Sequence, residues 1–335
     1  MRTILAAMVA VLIVIAASWQ PLAAAEGGPV TVENCGQRLT FDEAPQRAIT
    51  NDVNMAEFMF ALGLEDHMLG RLTYGGANDE YTHGEDTGPW KDSFERVPHL
   101  GTEFGKEALI GAQPDFVFAG WNYGFQRDSD ITPASLAEVG IPSYVLTETC
   151  GGEGGPRGDR EVMDGVIHDL RNLGAIFRVP ERAEAVIAQF EADLDQARET
   201  GPQDDPVRVF LYDSGGDEGP LSSGAHGGPQ GIIEAAGGEN IFGDLADSWT
   251  TVNWETVIAR DPEVIAIVDY TYEGNTGPQT VEEKIAYLKA KPELADVTAV
   301  RENRFFVLTY ADWVASPRNA QAALTLAREL TTLRR

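Results

Sequence analysis

The chain has 335 residues and carries 25 Lys and Arg against 53 Asp and Glu, which gives a net charge of −28 at pH 7. Nucleic acids and anionic lipids bind proteins through basic patches, so this chain is expected to bind neither. Its length is sufficient for two domains with separate cores.

The N-terminus has the features of a secretory signal peptide. Arg2 precedes an apolar run at 4–17, and small residues before Glu26 predict cleavage after Ala25. The run is short for a membrane span, and no cysteine follows it that would carry a lipid anchor. We therefore predict a periplasmic protein that is not inserted in the membrane, and we expect a monomer.

The first half of the mature chain alternates strand-like and helix-like segments. Alternating residues on either side of Cys35 predict a hairpin, and Asn54 with Glu57 has the capping-box pattern of a helix start. A polar, irregular segment at 73–97 is long enough to suggest a function. The predicted strands are 30–33, 37–41, 47–50, 67–72, 116–119 and 143–146, and the predicted helices include 54–63 and 135–139.

Two long helical segments follow, at 160–177 and 181–199. The second follows Pro180, a residue that suits the first turn of a helix, and has apolar residues at core spacing. A strand at 207–212 then opens a second alternating series, so the sequence predicts an α/β fold with mostly parallel sheets. We expect an N-terminal lobe at 26–179, a bridging helix at 180–200 and a C-terminal lobe at 201–335.

One segment pattern occurs twice in the chain. Glu107-Ala-Leu-Ile-Gly-Ala-Gln-Pro114-Asp is repeated in form as Glu255-Thr-Val-Ile-Ala-Arg-Asp-Pro262-Glu. In each copy a glutamate opens a short helix, an apolar pair follows, a proline ends the helix and an acidic residue leads into a strand. The repeat indicates two similar lobes, each with a carboxylate at a matching place.

Ligands of parallel α/β sheets bind outside the carboxyl ends of the strands, so a cleft between the lobes is the predicted binding site. The predicted strand-end loops are rich in aromatic and amide side chains and poor in fixed positive charge. Ordinary packing is the alternative role for any single ring. The candidate ligand-binding residues are Asn51, Asp52, Tyr74, Trp121, Asn122, Tyr123, Tyr212, Ser222, His226, Trp249, Tyr270 and Tyr310.

The chain has two cysteines, Cys35 and Cys150. In an oxidising compartment two cysteines are expected to pair, so we predict a disulfide between them. A metal site is the alternative, but the clustered histidine partners that it needs are absent from the sequence.

Seven motifs occur in the order that characterises one family. They are Ala44-Pro-Gln-Arg47-Ala-Ile, Glu57-Phe-Met-Phe-Ala-Leu-Gly63-Leu-Glu-Asp66 with Gly70, Val97-Pro-His-Leu-Gly101, Glu107 to Asp115, Leu136-Ala-Glu-Val-Gly-Ile-Pro142, Ala235-Ala-Gly-Gly-Glu-Asn240-Ile-Phe, and Trp254-Glu-Thr-Val-Ile-Ala-Arg-Asp-Pro262. Over almost the whole mature chain the sequence resembles the periplasmic substrate-binding proteins of ABC importers for vitamin B12, ferric siderophores and haem.

This resemblance implies two Rossmann-like lobes joined by one rigid helix. It also implies that Glu107 and Glu255 dock onto arginines of a dimeric membrane permease, which works with an ATPase. An exposed carboxylate in the first turn of a helix suits both the helix dipole and a guanidinium partner. The dipole alone is the alternative explanation, since acidic residues are common at helix starts.

The ligand is expected to be a chelate without a high negative charge. The five histidines show no metal-ligand spacing, so neither a bare transition metal nor a cofactor is predicted. A catecholate siderophore would need Arg or Lys in the cleft, and no Arg falls squarely in a predicted strand-end loop. We favour a hydroxamate-type ferric siderophore slightly over a corrinoid, and whether the acidity reflects habitat or ligand stays open.

Two rival functions belong to other classes. An exported hydrolase would need a nucleophile, and although Asp213, Ser222 and His226 suggest a triad, their spacing does not require one and no Gly-x-Ser-x-Gly elbow occurs. We therefore predict that the protein is not an enzyme. A periplasmic sensor or adaptor of the same fold is the other rival.

Overall fold

A computed structural model describes residues 28–73, 88–101, 105–126, 130–151, 160–270 and 277–334. The predicted signal peptide and the candidate Tyr74 lie outside these ranges. Within them, none of the helices combines the length and the apolar character that crossing a membrane requires.

The N-terminal lobe is built on a parallel sheet, with a small antiparallel hairpin of β1 and β2 beside it. Each predicted strand of this lobe is present, and its ends lie within two residues of the predicted ends. The segment at 73–97, expected to be irregular, contains a helix at 91–96. The elements are β1 (Val30–Asn34), β2 (Gln37–Phe41), β3 (Ala48–Asn51), α1 (Val53–Ala61), β4 (Met68–Leu72), α2 (Lys91–Arg96), α3 (Lys106–Ala112), β5 (Phe116–Trp121), β6 (Gly124–Phe125), α4 (Pro133–Ala137), β7 (Ser143–Val145) and α5 (Val162–Ile176).

A single long helix, α6 (Pro180–Thr200), leads to the C-terminal lobe, which holds a second parallel sheet and a small antiparallel one. The elements of this lobe are β8 (Val207–Tyr212), β9 (Ser214–Gly216), β10 (Gly219–Ser223), α7 (Gly228–Ala235), β11 (Gly238–Asn240), β12 (Trp249–Thr251), α8 (Trp254–Arg260), β13 (Val264–Asp269), α9 (Val281–Ala290), α10 (Thr298–Arg301), β14 (Phe305–Thr309), α11 (Tyr310–Trp313) and α12 (Asn319–Leu333).

The two parallel sheets have the same strand order. The N-terminal sheet runs β4-β3-β5-β7 and the C-terminal sheet runs β11-β8-β13-β14, so each lobe places its first core strand beside its third. From the first strand the chain adds the second strand on one side and the third on the other. Ligands of such sheets bind at this point, outside the carboxyl ends of the strands. The fold is therefore α/β with two Rossmann-like lobes, as predicted.

The bridging helix α6 packs one face against α5 and α12. Its buried positions recur every three or four residues, and they are Ala183, Ile187, Phe190, Leu194 and Ala197. This spacing is the apolar stripe of an amphipathic helix, and it fixes α6 along its length. The residue limits given above for the two lobes stay a prediction.

The repeat is held in the same way in both lobes. Arg47 donates to the carbonyl oxygens of Ala112 and Gln113 at the end of α3, and the Asp115 carboxylate accepts from the Arg47 backbone. In the C-terminal lobe, Arg208 donates to the carbonyl of Asp261, and the Glu263 carboxylate accepts from the Arg208 backbone. In each lobe, therefore, an arginine at the start of the first core strand binds the end of the repeat helix through its side chain and the acid after the proline through its backbone.

The predicted capping box at the start of α1 is wrong. The N-cap residue is Asp52, whose Oδ1 accepts from the Val53 backbone N–H at 2.7 Å. Asn54 and Glu57 are wholly buried instead. Both contact the other lobe, so tertiary partners determine their orientation.

The predicted disulfide between Cys35 and Cys150 is confirmed. It links the β1–β2 turn to the residue that follows the short helix 147–149, over a sequence separation of 115. Next to it, the Asn34 amide bonds Val145 in both directions: Nδ2 donates to the carbonyl at 2.7 Å and Oδ1 accepts from the N–H at 2.8 Å.

We expect replacement of both Cys35 and Cys150 by Ser to lower the free energy of unfolding by about 2–5 kcal/mol, because the open chain gains conformational freedom when it unfolds. Urea titrations of the oxidised protein and the double variant measure the difference. Reductant should lower the midpoint of the parent and leave that of the variant unchanged. Equal midpoints for parent and variant would contradict the assignment.

Candidate functional site

Carboxylates and phenols follow equivalent strands in the two lobes. The residue after the first core strand is an aspartate in both, the loop after the third strand carries a tyrosine in both, and the fourth is followed by a glutamate in one lobe and a tyrosine in the other. We call this set the cleft floor: Asp52, Tyr123 and Glu148 in the N-terminal lobe, and Asp213, Tyr270 and Tyr310 in the C-terminal lobe.

The cleft floor joins the lobes by direct hydrogen bonds. The Tyr310 hydroxyl donates to Asp52 Oδ2 at 2.7 Å, and the Tyr123 and Tyr310 hydroxyls are hydrogen-bonded to each other. Burial, together with nearby carboxylates, raises the pKa of both phenols well above the usual range. At neutral pH both therefore keep their protons.

A second carboxylate and phenol pair lies within the C-terminal lobe. The Tyr270 hydroxyl donates to Asp213 Oδ1 at 2.7 Å, and the Tyr270 and Tyr310 ring centroids are 5.3 Å apart. Lys284 Nζ lies 4.7 Å from the centre of the Tyr270 ring and donates to the carbonyl of Val268. Burial raises the pKa of Asp213 and lowers that of Lys284 to about 8.

Glu148 reaches from the N-terminal lobe into the C-terminal lobe. Its Oε1 accepts from Trp249 Nε1 at 3.1 Å and its Oε2 accepts from the Ala315 backbone N–H at 3.0 Å. Its side chain is thus bonded to two different segments of the other lobe.

A buried carboxyl group supports the short helix 147–149 that carries Glu148. Asp169 accepts from the Thr147 backbone and hydroxyl at 3.0 and 2.5 Å, and from the Tyr144 hydroxyl at 2.7 Å. Burial raises the pKa of Asp169 to about 7, against the opposing effect of these three donors. Asp169 therefore positions Glu148 through its carrier helix.

An ion pair between the lobes is buried behind the cleft floor. Arg318 Nε lies 2.7 and 2.8 Å from the two carboxylate oxygens of Glu57, and Arg318 Nη2 also contacts Glu57 Oε1. Glu57 is 0% exposed and Arg318 is 5% exposed. Beside them, Asn54 Nδ2 donates to the carbonyl of Ala315 at 3.1 Å.

Several candidates from the sequence lie away from the cleft floor. Trp121 packs with Phe125 beside the disulfide. Tyr212 is 0% exposed in the core of the C-terminal lobe and donates its hydroxyl to the carbonyl of Gly215. Asn122 is exposed in the turn after β5, with φ of 66°. The Trp121 and Tyr212 rings therefore have packing roles, which is the alternative given above for any single ring.

The other candidates lie at strand ends. Asn51 is buried, and its Nδ2 has no hydrogen-bond partner in the described structure. The Ser222 hydroxyl is likewise buried without a partner there, so it does not donate to His226. The His226 backbone N–H bonds the carbonyl of Asp247. Without a hydrogen bond between Ser222 and His226, the described residues do not form the nucleophile and base pair of a triad.

The sequence interpretation missed Glu148, Lys284 and the Glu57–Arg318 pair as parts of the site. Glu148 follows the fourth core strand, so the strand-end rule that selected Asp52 would also have selected it. Lys284 lies on α9 and Arg318 at the start of α12, outside strand-end loops. No local sequence signal marks either of them.

Comparison with known proteins gives a family and several relatives. A family model described as "Periplasmic binding protein" matches residues 52–311. A vitamin B12-binding protein of Pectobacterium carotovorum is 25% identical over 225 residues, which cover 67% of this chain and 71% of the relative. A cobalamin-binding protein of Halobacterium salinarum is 24% identical and aligns over 71% of this chain and 58% of its own length.

Solved structures share the fold. A periplasmic binding protein from Veillonella parvula has a TM-score of 0.72 and 26% identity, covering 90% of this chain and 97% of that one. A protein of an ABC-type Fe3+-hydroxamate transport system from Saccharomonospora viridis has a TM-score of 0.70 and 23% identity, covering 89% and 97%. The second likeness shows the fold alone.

We expect Glu57→Gln to lower the free energy of unfolding by about 3–5 kcal/mol, because it removes the nearer carboxylate of the buried Arg318 and leaves, among the described residues, Asp312, whose Oδ1 lies 3.8 Å from Nη1. Urea denaturation followed by tryptophan fluorescence measures the change.

Glu184→Gln is the matched control for this variant. Glu184 pairs with Arg171 at 2.8 Å, but both side chains are more than half exposed. Its loss should cost less than about 1 kcal/mol. Equal losses in the two variants would show that the buried pair holds the lobes no better than a surface pair.

Proposed function

The chain belongs to the periplasmic binding protein family, and on this premise we propose that it is the periplasmic solute-binding component of an ABC importer. In this proposal the protein is exported with cleavage after Ala25, captures a large metal chelate between its lobes and delivers it to a permease dimer with its ATPase. The observation that carries the proposal is the cleft floor, where equivalent strand ends of two lobes meet.

The charges of the cleft floor support an uncharged or cationic chelate. Three of its side chains are carboxylates and three are phenols that donate hydrogen bonds to carboxylates or to each other. Lys284 is the cation that the described contacts place there, and burial already disfavours its charged form. A polyanionic catecholate would meet buried carboxylates, whose repulsion of a negative charge is screened less than at the surface, so its binding would cost more free energy.

Two ligand classes meet this requirement. A hydroxamate-type ferric siderophore is the class that the sequence interpretation favoured. A corrinoid is the second candidate, and the names of the relatives from Pectobacterium and Halobacterium favour it. Both ligands are large, partly apolar and rich in hydrogen-bonding groups, which suits walls of tyrosine and tryptophan such as Tyr270 and Trp249.

Titration of the purified protein with cyanocobalamin, a ferric trihydroxamate and a ferric tricatecholate tests this proposal, with tryptophan fluorescence as the readout. We expect one of the first two to bind at least about tenfold more tightly than the tricatecholate, a difference of 1.4 kcal/mol or more. Tightest binding of the tricatecholate would contradict the assigned ligand class.

A pair of tyrosine variants locates the site in the same titration. Tyr270→Phe removes a hydroxyl from the cleft floor, whereas Tyr287→Phe removes one that bonds the exposed Asp217 on the surface. We expect the first to weaken binding of the preferred ligand and the second to leave it unchanged. The reverse result would place the ligand elsewhere.

We further propose that Glu107 and Glu255 dock onto the permease. Both are exposed in the first turns of α3 and α8. The helix α3 precedes β5 and α8 precedes β13, and each runs in the opposite direction to the strand that follows it. Their first turns therefore lie near the carboxyl ends of the strands, where the cleft is expected. The matching carboxylates therefore stand on the side from which a bound ligand would leave.

We expect Glu107→Arg combined with Glu255→Arg to abolish uptake of the ligand into cells while ligand binding stays at the parental level, because like charges would then face the permease. Uptake of labelled ligand and the fluorescence titration measure the two effects. Glu138→Arg with Glu239→Arg makes the same charge change at exposed sites outside the repeat. Uptake that survives in the first double variant would refute the docking role.

A further inference from the structure

A buried lysine lies at the start of α9, beside the cleft floor. Lys284 is 0% exposed and lies in the first turn of this helix. A capping box fixes the helix start: the Thr280 hydroxyl accepts from the Glu283 backbone, and the Glu283 carboxylate accepts from the Thr280 backbone. The helix α9 therefore presents Lys284 from a fixed first turn.

Packing alone does not explain a lysine at this position. Burial of an ammonium group is costly, and the first turn of a helix carries a partial positive charge that repels a cation. An apolar side chain of similar length, such as methionine, would fill the same space without either cost. A lysine here is therefore expected to act through its charge.

The ammonium group contacts the end of β13 and the residue that follows it. Nζ of Lys284 donates to the carbonyl of Val268 at 2.7 Å and to that of Tyr270 at 3.4 Å, and it lies 4.7 Å from the centre of the Tyr270 ring. The attraction to the ring and the strength of charge-assisted hydrogen bonds both need the protonated amine. Lys284 thus holds both the backbone and the ring of Tyr270.

Tyr270 connects Lys284 to the rest of the cleft floor. Its hydroxyl donates to Asp213 Oδ1 at 2.7 Å, and its ring centroid lies 5.3 Å from that of Tyr310. The Tyr310 hydroxyl in turn donates to Asp52 of the N-terminal lobe at 2.7 Å. A change in the position of the Tyr270 ring therefore affects contacts in both lobes.

The described residues place two carboxylates near the ammonium group, Asp213 after β8 and Asp269 at the end of β13. Burial lowers the pKa of Lys284 to about 8, against the opposing effect of both carboxylates. On α9 itself, Glu283 accepts from the backbone at the helix start and Tyr287 bonds a surface aspartate. The amine is therefore mostly charged at pH 7 and about one-tenth charged at pH 9.

We propose that Lys284 is a positioning residue of the binding site, whose ammonium group holds Tyr270 in the arrangement that captures the chelate. The inference rests on the proposed solute-binding function and adds an upper pH limit to it. Since only protein with a charged Lys284 binds in this arrangement, the apparent dissociation constant grows in inverse proportion to the charged fraction. Binding therefore weakens about tenfold between pH 7 and pH 9.

Titration of the purified protein with cyanocobalamin and with a ferric trihydroxamate at pH 7, 8 and 9 tests the inference, with tryptophan fluorescence as the readout. For the chelate that binds more tightly, we expect the parent to lose about tenfold in affinity over this range. Lys284→Met removes the charge and keeps the length of the side chain. We expect this variant to bind at least about tenfold more weakly than the parent at pH 7 and to show no further loss at pH 9.

Lys289→Met is the matched control. Lys289 is exposed on the same helix and donates to Asn303 at the surface. This variant should match the parent at each pH. Parental affinity of Lys284→Met at pH 7, with the parental loss at pH 9, would overturn the inference and leave the solute-binding function standing.

Nuclear magnetic resonance of protein labelled with carbon-13 at the lysine ε position follows the amine without any ligand. The chain has five lysines, and variants of the other four identify the Lys284 signal by elimination, so this measurement does not need a folded Lys284→Met. We expect the signal to titrate near pH 8, where the affinity of the parent falls. Affinity that stays constant while this signal titrates would overturn the inference. A parent that binds neither chelate at any of these pH values would overturn it together with the proposed function.

Discussion

The buried ion pair between Glu57 and Arg318 is the contact on which the arrangement of the two lobes depends. It joins α1 to the start of α12 at a place where neither charge is stable alone. With the lobes held there, Glu148 reaches Trp249 and Tyr310 reaches Asp52. These polar contacts hold the strand ends of the two lobes together.

The site lies between two sheets that have the same strand order and differ in the type of residue that follows the fourth strand. Both lobes place an aspartate after the first core strand and a tyrosine after the third. After the fourth strand, the N-terminal lobe has Glu148 and the C-terminal lobe has Tyr310. This difference gives one lobe an extra acceptor and the other an extra donor, so the lobes complement each other instead of repelling.

Local patterns in the sequence predicted most of the fold. The strands, the repeated helix and the helix after Pro180 are determined by residues that are close in sequence. The disulfide follows from the oxidising compartment and the presence of two cysteines. Of the cleft floor, the sequence selected four residues that lie at or close to strand ends, namely Asp52, Tyr123, Tyr270 and Tyr310, and their role in ligand binding stays a prediction. The role of Glu57 was predicted wrongly, because its partner Arg318 is distant in sequence and outweighs the local capping pattern. Trp121 and Tyr212 follow or end strands too, but their rings pack into the lobes.

The two hydrogen bonds between Asn34 and Val145 cover part of a strand edge in the folded protein. The strand β7 is an outer strand of its sheet, and its outward backbone groups would otherwise be available to a strand of another molecule. The Asn34 amide occupies one N–H and one carbonyl there, as a peptide group of a neighbouring strand would. The adjacent disulfide keeps this amide in place. The N-terminal hairpin therefore hinders pairing of β7 with a strand of another molecule.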